Sequence, residues 1–246
     1  MVQAPQRTTI RGPTFIRLLA SLTDVDVAQS KQSLSDQLSQ WLDWTQAIAL
    51  STALDGKPSA AAGDPPAFDS AEEDECARVR NSLANAITAE HEWLAVVQRG
   101  VEPSTAGETG ANVVVDYAAF RQRYLAVQRS MQAATGHLRG RLRDMLAQTS
   151  AEMARLADVD AVMELALTPR EHALLAAVPG LLGQHFERLQ QARHKALAEA
   201  QAAEEGPAAP GAWLEVFRKD MQSVLLAELD VRFQPVEGLL AALRAR

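Results

Sequence analysis

The chain has 246 residues, of which 47% are apolar but only 5% aromatic, so alanine and leucine must carry the burial, as they do in helical bundles and coiled coils. A formal net charge of −7 argues against the broad basic surface of a general nucleic-acid binder, and the single cysteine, Cys76, excludes an internal disulfide framework or a multi-cysteine metal site. No apolar run approaches the roughly 20 residues that span a bilayer, and Arg7, Arg11 and Arg17 leave no uncharged secretory core, so a cytoplasmic protein is expected.

Residues 1–11 read as a disordered polar arm. Gly12-Pro13 opens a short helix, because proline at the first helical position gives up only an N–H that has no intrahelical partner. Phe15, Ile16, Leu18, Leu19 and Leu22 form its apolar face. Helical spacing returns from about Ser30 to Leu54 through Leu34, Leu38, Trp41, Leu42, Thr45 and Ile48, completing an N-terminal helical segment over 12–54. Trp41 and Trp44 lie three apart and cannot both occupy the centre of a narrow stripe, so one is expected at a rim or a contact between elements, by core packing first and as a docking surface second. Gly56, Pro58, Gly63, Pro65 and Pro66 mark 55–68 as a linker.

A long helical hairpin is expected over 69–167. Ser70-x-x-Glu73 has the form of a capping box, with further acids in the first turn where the helix dipole favours them, and the helix it starts should run to about Arg99. After a loop over 100–112 comes the spine of the chain, 116–167. Apolar or small residues recur there at Tyr117, Phe120, Tyr124, Val127, Met131, Leu138, Leu142, Met145, Thr149, Met153, Leu156, Val159, Met163 and Leu167, with no proline among them. One unbroken helix over that stretch would measure on the order of 78 Å and would have to bury its stripe against other helices or a second copy of itself. The spine reads as a single extended rod, with Gly136 and Gly140 or Ala157-Asp158 as the places where it could instead be broken. The two glycines mark either a close helix approach or a kink.

The C-terminal helical segment spans 168–246. Thr168-Pro169-Arg170-Glu171 reads as a helix start, Pro179-Gly180 as a break, and 181–203 as a further helix. A linker over 204–211 leads to a last helix from about Ala212, interrupted at Pro235. The fold class is therefore all-α: an elongated helical bundle or antiparallel coiled-coil hairpin with one long central helix.

The pattern contains little catalytic chemistry. His91, His137, His172, His185 and His194 are scattered, and HExxH, Glu-x-x-His, GxGxxG, P-loop and GxSxG patterns are all absent. No catalytic residue, cofactor or metal is expected. The sharpest local feature is a run of six arginines, Arg121, Arg123, Arg129, Arg139, Arg141 and Arg143, with no acid between them. Three readings are open: pairing with acids of the same chain, contact with a protein partner, or contact with nucleic-acid phosphates. For the first, an antiparallel hairpin with Val97 opposite Tyr117 sets position 73 opposite 141, so that Glu72 to Glu75 face Arg139, Arg141 and Arg143. The arginine run, Trp41 and Trp44 are the candidate partner-contact residues.

The opening Arg7-Thr8-x-x-x-Gly12-Pro13-x-Phe15-Ile16-Arg17-Leu18-Leu19, the run Gln32 to Leu42, the Thr168-Pro169-Arg170-Glu171 tetrad and the tail Gln234-Pro235-Val236-x-Gly238-Leu239 resemble an uncharacterised proteobacterial family of unknown function. The resemblance covers nearly the whole chain and carries no assigned active site. Members of that family tend to be encoded beside membrane-anchored proteins with motor-stator-like and OmpA-like segments, which implies a cytoplasmic accessory to an envelope complex. The function expected is thus a non-enzymatic helical adaptor or scaffold, self-associating or docking a helical protein partner, membrane-anchored proteins included, without inserting in the membrane. A nucleic-acid-associated protein using the arginine face is the alternative.

Overall fold

The structure, a computed structural model, describes residues 14–23, 32–55, 70–90, 93, 115–202 and 211–245. Helices α1 (Thr14–Thr23), α2 (Leu34–Trp41), α3 (Trp44–Asp55), α4 (Ser70–Thr88), α5 (Tyr117–Ala147), α6 (Ala151–Leu175), α7 (Val178–Ala202) and α8 (Ala212–Arg244) pack as an all-α bundle.

The apolar stripe of the spine builds the centre. Phe120, Tyr124, Val127, Met131, Thr135, Leu138, Leu142 and Leu146 of α5 fall at steps of three or four and are buried, so one helix face points inward. The matching face belongs to α8, with Phe217, Met221, Leu225, Leu229, Phe233 and Val236 buried. Each fully buried side chain of this kind contributes about 1.5–3 kcal/mol, and the two stripes form the largest helix–helix interface in the bundle. The two helices run in the same direction. Phe120 meets Phe217 near both N-termini at 5.3 Å between ring centroids, and Tyr124 meets Glu228 further along both.

The other helices close around this seam. α4 lies antiparallel to α8, held by Arg244 on Glu73 at 2.5 Å and Arg80 on Asp230 at 2.7 Å. Phe186 of α7 joins Tyr117, Phe120, Trp213 and Phe217 in an aromatic cluster at one end. Phe15 of α1 is buried in the same core, and α1 packs on α7 and α8. Trp93 is buried beside Phe120 and donates its indole N–H to the Ile87 carbonyl at 2.8 Å.

The spine differs from a single straight rod. It stops at Ala147, turns through Gln148-Thr149-Ser150, and resumes as α6, which folds back along α5. The turn has a local cause. Ser150 is extended and its hydroxyl accepts from the Met153 N–H at 3.2 Å, while the Thr149 hydroxyl donates to the Met145 carbonyl at 2.9 Å. Such side chains offer the backbone alternatives to continued helix. The break therefore falls neither at the glycines nor at Ala157-Asp158. Gly136 and Gly140 lie within unbroken helix, and a Cβ at either would meet nothing within 4 Å, so they mark neither a break nor a close approach.

Three further expectations are corrected. Thr168-Pro169-Arg170-Glu171 is not a helix start: Pro169 sits inside α6, and the Thr168 hydroxyl bonds back to the Glu164 carbonyl at 2.6 Å. The helix instead ends at Leu175, just ahead of Pro179 in the first turn of α7. Pro235 does not interrupt α8, whose buried face continues through Val236, Leu239 and Leu243. The stretch 30–54 is two helices, because Asp43 caps a new one: its carboxylate accepts from the Gln46 N–H at 2.7 Å and its own N–H donates to Gln46 Oε1 at 3.0 Å. α4 ends at Thr88, Glu90 and Trp93 are helical again beyond it, and the rest of the expected run to Arg99, the arm 1–11, most of both linkers and the loop 100–112 lie outside the described residues.

Two glycines make opposite predictions. Gly136→Ala adds a methyl to open space in mid-helix and is expected to stabilise the protein by about 1 kcal/mol in urea unfolding. At Gly183 the new Cβ would stand 3.0 Å from the Tyr117 ring, which is wedged against Phe186 and Phe217 and bonded to the Pro179 carbonyl. There the same substitution is expected to lower stability by about 1–2 kcal/mol despite the better helix former.

Candidate functional site

Where α5, α6 and α8 converge beyond the middle of the seam, the packing opens into a polar cleft of about 310 Å³. Gln132, Thr135, Gly136 and Arg139 recur at helical spacing and make the α5 wall; Glu164, Thr168, Glu171 and His172 do the same on α6. Val231, Arg232 and Pro235 close the α8 side.

Beside the cleft lies a buried polar network centred on Glu228, which is 0% exposed. Its carboxylate accepts from the Tyr124 hydroxyl at 2.6 Å, the Gln128 amide at 3.0 Å and the Arg232 guanidinium at 2.9 Å. Arg232 reaches on to Glu171 at 3.0 Å, linking α8 to α6. Burial pushes the Tyr124 hydroxyl far above the usual phenol range, and the neighbouring Glu228 charge adds to the shift. A buried charge with all its partners in place is tolerated; the same charge stripped of one is costly.

The sequence-predicted contact residues fall in three places. Arg139 and Arg143 of α5 point at α6: Arg139 holds Asp160 bidentately at 2.7 and 2.8 Å, and Arg143 binds Asp160 at 3.4 Å and Glu164. Burial opposes the Arg139 charge, but the hydrogen bonds and charge of Asp160 outweigh it and leave its pKa above the ordinary value. Arg141 finds an acid of α4, meeting Glu75 at 2.5 Å, and Arg123 donates to the Ala86 carbonyl at 2.5 Å. Arg121 and Arg129 are exposed. Trp41 is half-buried with Arg170 over its ring at 5.9 Å, whereas Trp44 is 81% exposed, so the pair divides between a rim and a free surface. The remaining chemistry is sparse. Cys76 is buried, which pushes its thiol up, and His185 pairs with Asp220 at 2.8 Å. Among the described residues no group of three His, Cys, Asp or Glu side chains is arranged to hold a metal ion, and no helix is long and apolar enough to cross a membrane.

Residues 1–245 match the family model described as "Protein of unknown function (DUF3348)". The chain belongs to this family. No curated protein and no solved structure gives a significant match to it. The DUF3348 match spans the residues of the N-terminal segment, the seam and the cleft alike.

The Glu228 network was missed in the sequence, although Glu228 and Arg232 are one turn apart and Glu228 interrupts the apolar face of α8. Glu228→Ala leaves the Arg232 charge and the Tyr124 hydroxyl without their partner and is expected to cost about 3–5 kcal/mol in chemical unfolding. The two tyrosines provide a second check. Burial pushes Tyr117 up to about 12 and Tyr124 higher still. A raised phenol pKa gives stability that is complete below about pH 10 and lost as pH rises through the folded value. In an alkaline titration, tyrosinate absorbance should therefore appear only together with loss of the helical circular-dichroism signal, near or below about pH 12.

Proposed function

We propose that this DUF3348 protein is a non-enzymatic helical adaptor that docks a helical segment of a protein partner on the outer face of α3. The observation that carries this reading is the exposure of Trp44 at 81% with Ile48, one turn along, at 51%. α3 meets the bundle along α6 through its half-buried Gln46, Leu50 and Ala53, which leaves Trp44 and Ile48 on the opposite side. α6 itself exposes Leu165 and Leu174. Trp44 and Ile48 lie one turn apart on the same face of α3 and so make a bare apolar pair, and covering each would contribute about 1.5–3 kcal/mol.

The setting proposed is the cytoplasm, beside an envelope-spanning complex. That follows from the company that members of the resembling family keep. A nucleic-acid partner has weaker support, because four of the six arginines, Arg123, Arg139, Arg141 and Arg143, are engaged by groups of the same chain.

The test titrates the full chain with the cytoplasmic segments of its membrane-anchored neighbours and reads complex mass by light scattering. The double substitution Trp44→Glu/Ile48→Glu is expected to weaken the complex by roughly 100-fold. Because both side chains face solvent, the same change should move unfolding stability by less than about 0.5 kcal/mol. A complex indifferent to these substitutions overturns the reading. A doubled mass without partner, abolished by the same pair, would replace it with self-association, and duplex binding lost in Arg121→Glu/Arg129→Glu with a steep salt dependence would replace it with nucleic-acid association.

A further inference from the structure

We propose that the cleft between α5, α6 and α8 binds a small organic cation with more than one ammonium head, of the diamine or polyamine class. A three-helix junction in a bundle is ordinarily filled by leucine-sized side chains. Here Gly136, Thr135, Thr168 and Pro235 stand at the junction and leave about 310 Å³ open, within the range of small-ligand sites.

The chemistry of the ligand follows from which polar groups still have capacity. The arginine N–H groups are directed at carboxylates: Arg139 to Asp160, Arg143 to Asp160 and Glu164, Arg232 to Glu228 and Glu171. Both threonine hydroxyls donate to their own helix, Thr135 to the Met131 carbonyl at 2.8 Å and Thr168 to the Glu164 carbonyl at 2.6 Å, so they offer only lone pairs to the cleft. Pro235 brings no N–H to the Val231 carbonyl one turn before it, and that residue also lines the cleft. Gln132 and His172 also line the cleft and can donate or accept, so the balance of the wall is set by the groups that can only accept: the Glu164 and Glu171 carboxylates, two hydroxyls and a backbone carbonyl. On the cleft wall itself Arg139 and Arg232 balance Glu164 and Glu171, and the excess of negative charge comes from behind it, where two carboxylates, Asp160 and Glu228, are set against one further arginine, Arg143. A ligand that fits is rich in N–H donors and positive. A methylene chain between its heads would lie against Val231 and the Pro235 ring, as lysine stems lie on apolar surface.

The experiment is isothermal titration calorimetry of the full chain with putrescine and with spermidine at constant ionic strength, with sodium chloride and sodium glutamate as controls. Binding at one site per chain is expected, accompanied by a rise in Tm. Glu171→Gln should weaken it by roughly tenfold and Glu164→Gln likewise. Gly136→Leu fills the cleft from a position where a side chain meets open space, so it should abolish binding while the protein stays folded by circular dichroism. Absence of binding, many weak sites spread over the acidic surface, equal binding by Gly136→Leu, or a preference for glutamate would each overturn the proposal.

Discussion

The pairing of α5 with α8 is the interaction on which the other contacts rest. Two amphipathic faces, separated by most of the intervening chain, meet in parallel and bury their stripes in each other. Apolar burial alone would tolerate a slide of one helical turn, because leucine, methionine and phenylalanine substitute for one another with little loss. Glu228 removes that freedom. A shift of about 5.4 Å would draw its carboxylate away from the Tyr124 hydroxyl and the Gln128 amide and leave a buried charge short of partners. Stripe and carboxylate therefore do different jobs: the first supplies the stability, the second selects the register.

Most of this architecture was legible because helical periodicity survives in a sequence whatever the tertiary surroundings. The stripe from Tyr117 to Leu146 is visible as steps of three and four, and so is the face of α8 from Phe217 to Leu243. The errors cluster where a local signal competes with packing. Pro169 and Pro235 were read as boundaries because proline forfeits one backbone hydrogen bond, a cost of about 3 kcal/mol. In α8 the buried side chains following Pro235 offset a loss of that size, and the helix continues. The reverse error occurred at Thr149-Ser150 and Asp43, where capping side chains end a helix that periodicity alone would extend.

Electrostatics was legible in kind and not in detail. Pairing of the arginine run with Glu72 to Glu75 across an antiparallel hairpin was one of three open readings, and Arg141 does meet one of those acids, Glu75. Arg139 and Arg143 go elsewhere because the turn at Gln148-Thr149-Ser150 brings α6 alongside and sets Asp160 and Glu164 within reach. A break missed in the backbone therefore became an error in the charges. The cleft was illegible for the same reason: its walls come from α5, α6 and α8, and only the folded-back α6 carries Glu164 and Glu171 to face Arg139 and Arg232.

The parallel seam also dictates an order of events during synthesis. α5 emerges from the ribosome well before α8, and its partner stripe does not exist until roughly a hundred further residues have been made. In that interval the nascent α5–α6 hairpin can satisfy its backbone and the Asp160 and Glu164 ion pairs, but Phe120, Tyr124 and Met131 lack the surface they are shaped for. At elongation rates of about 5–20 residues per second, that exposure lasts several seconds, long compared with hydrophobic collapse. Nascent-chain chaperones therefore have a defined window on this protein, closed by arrival of the helix that was translated last among those described.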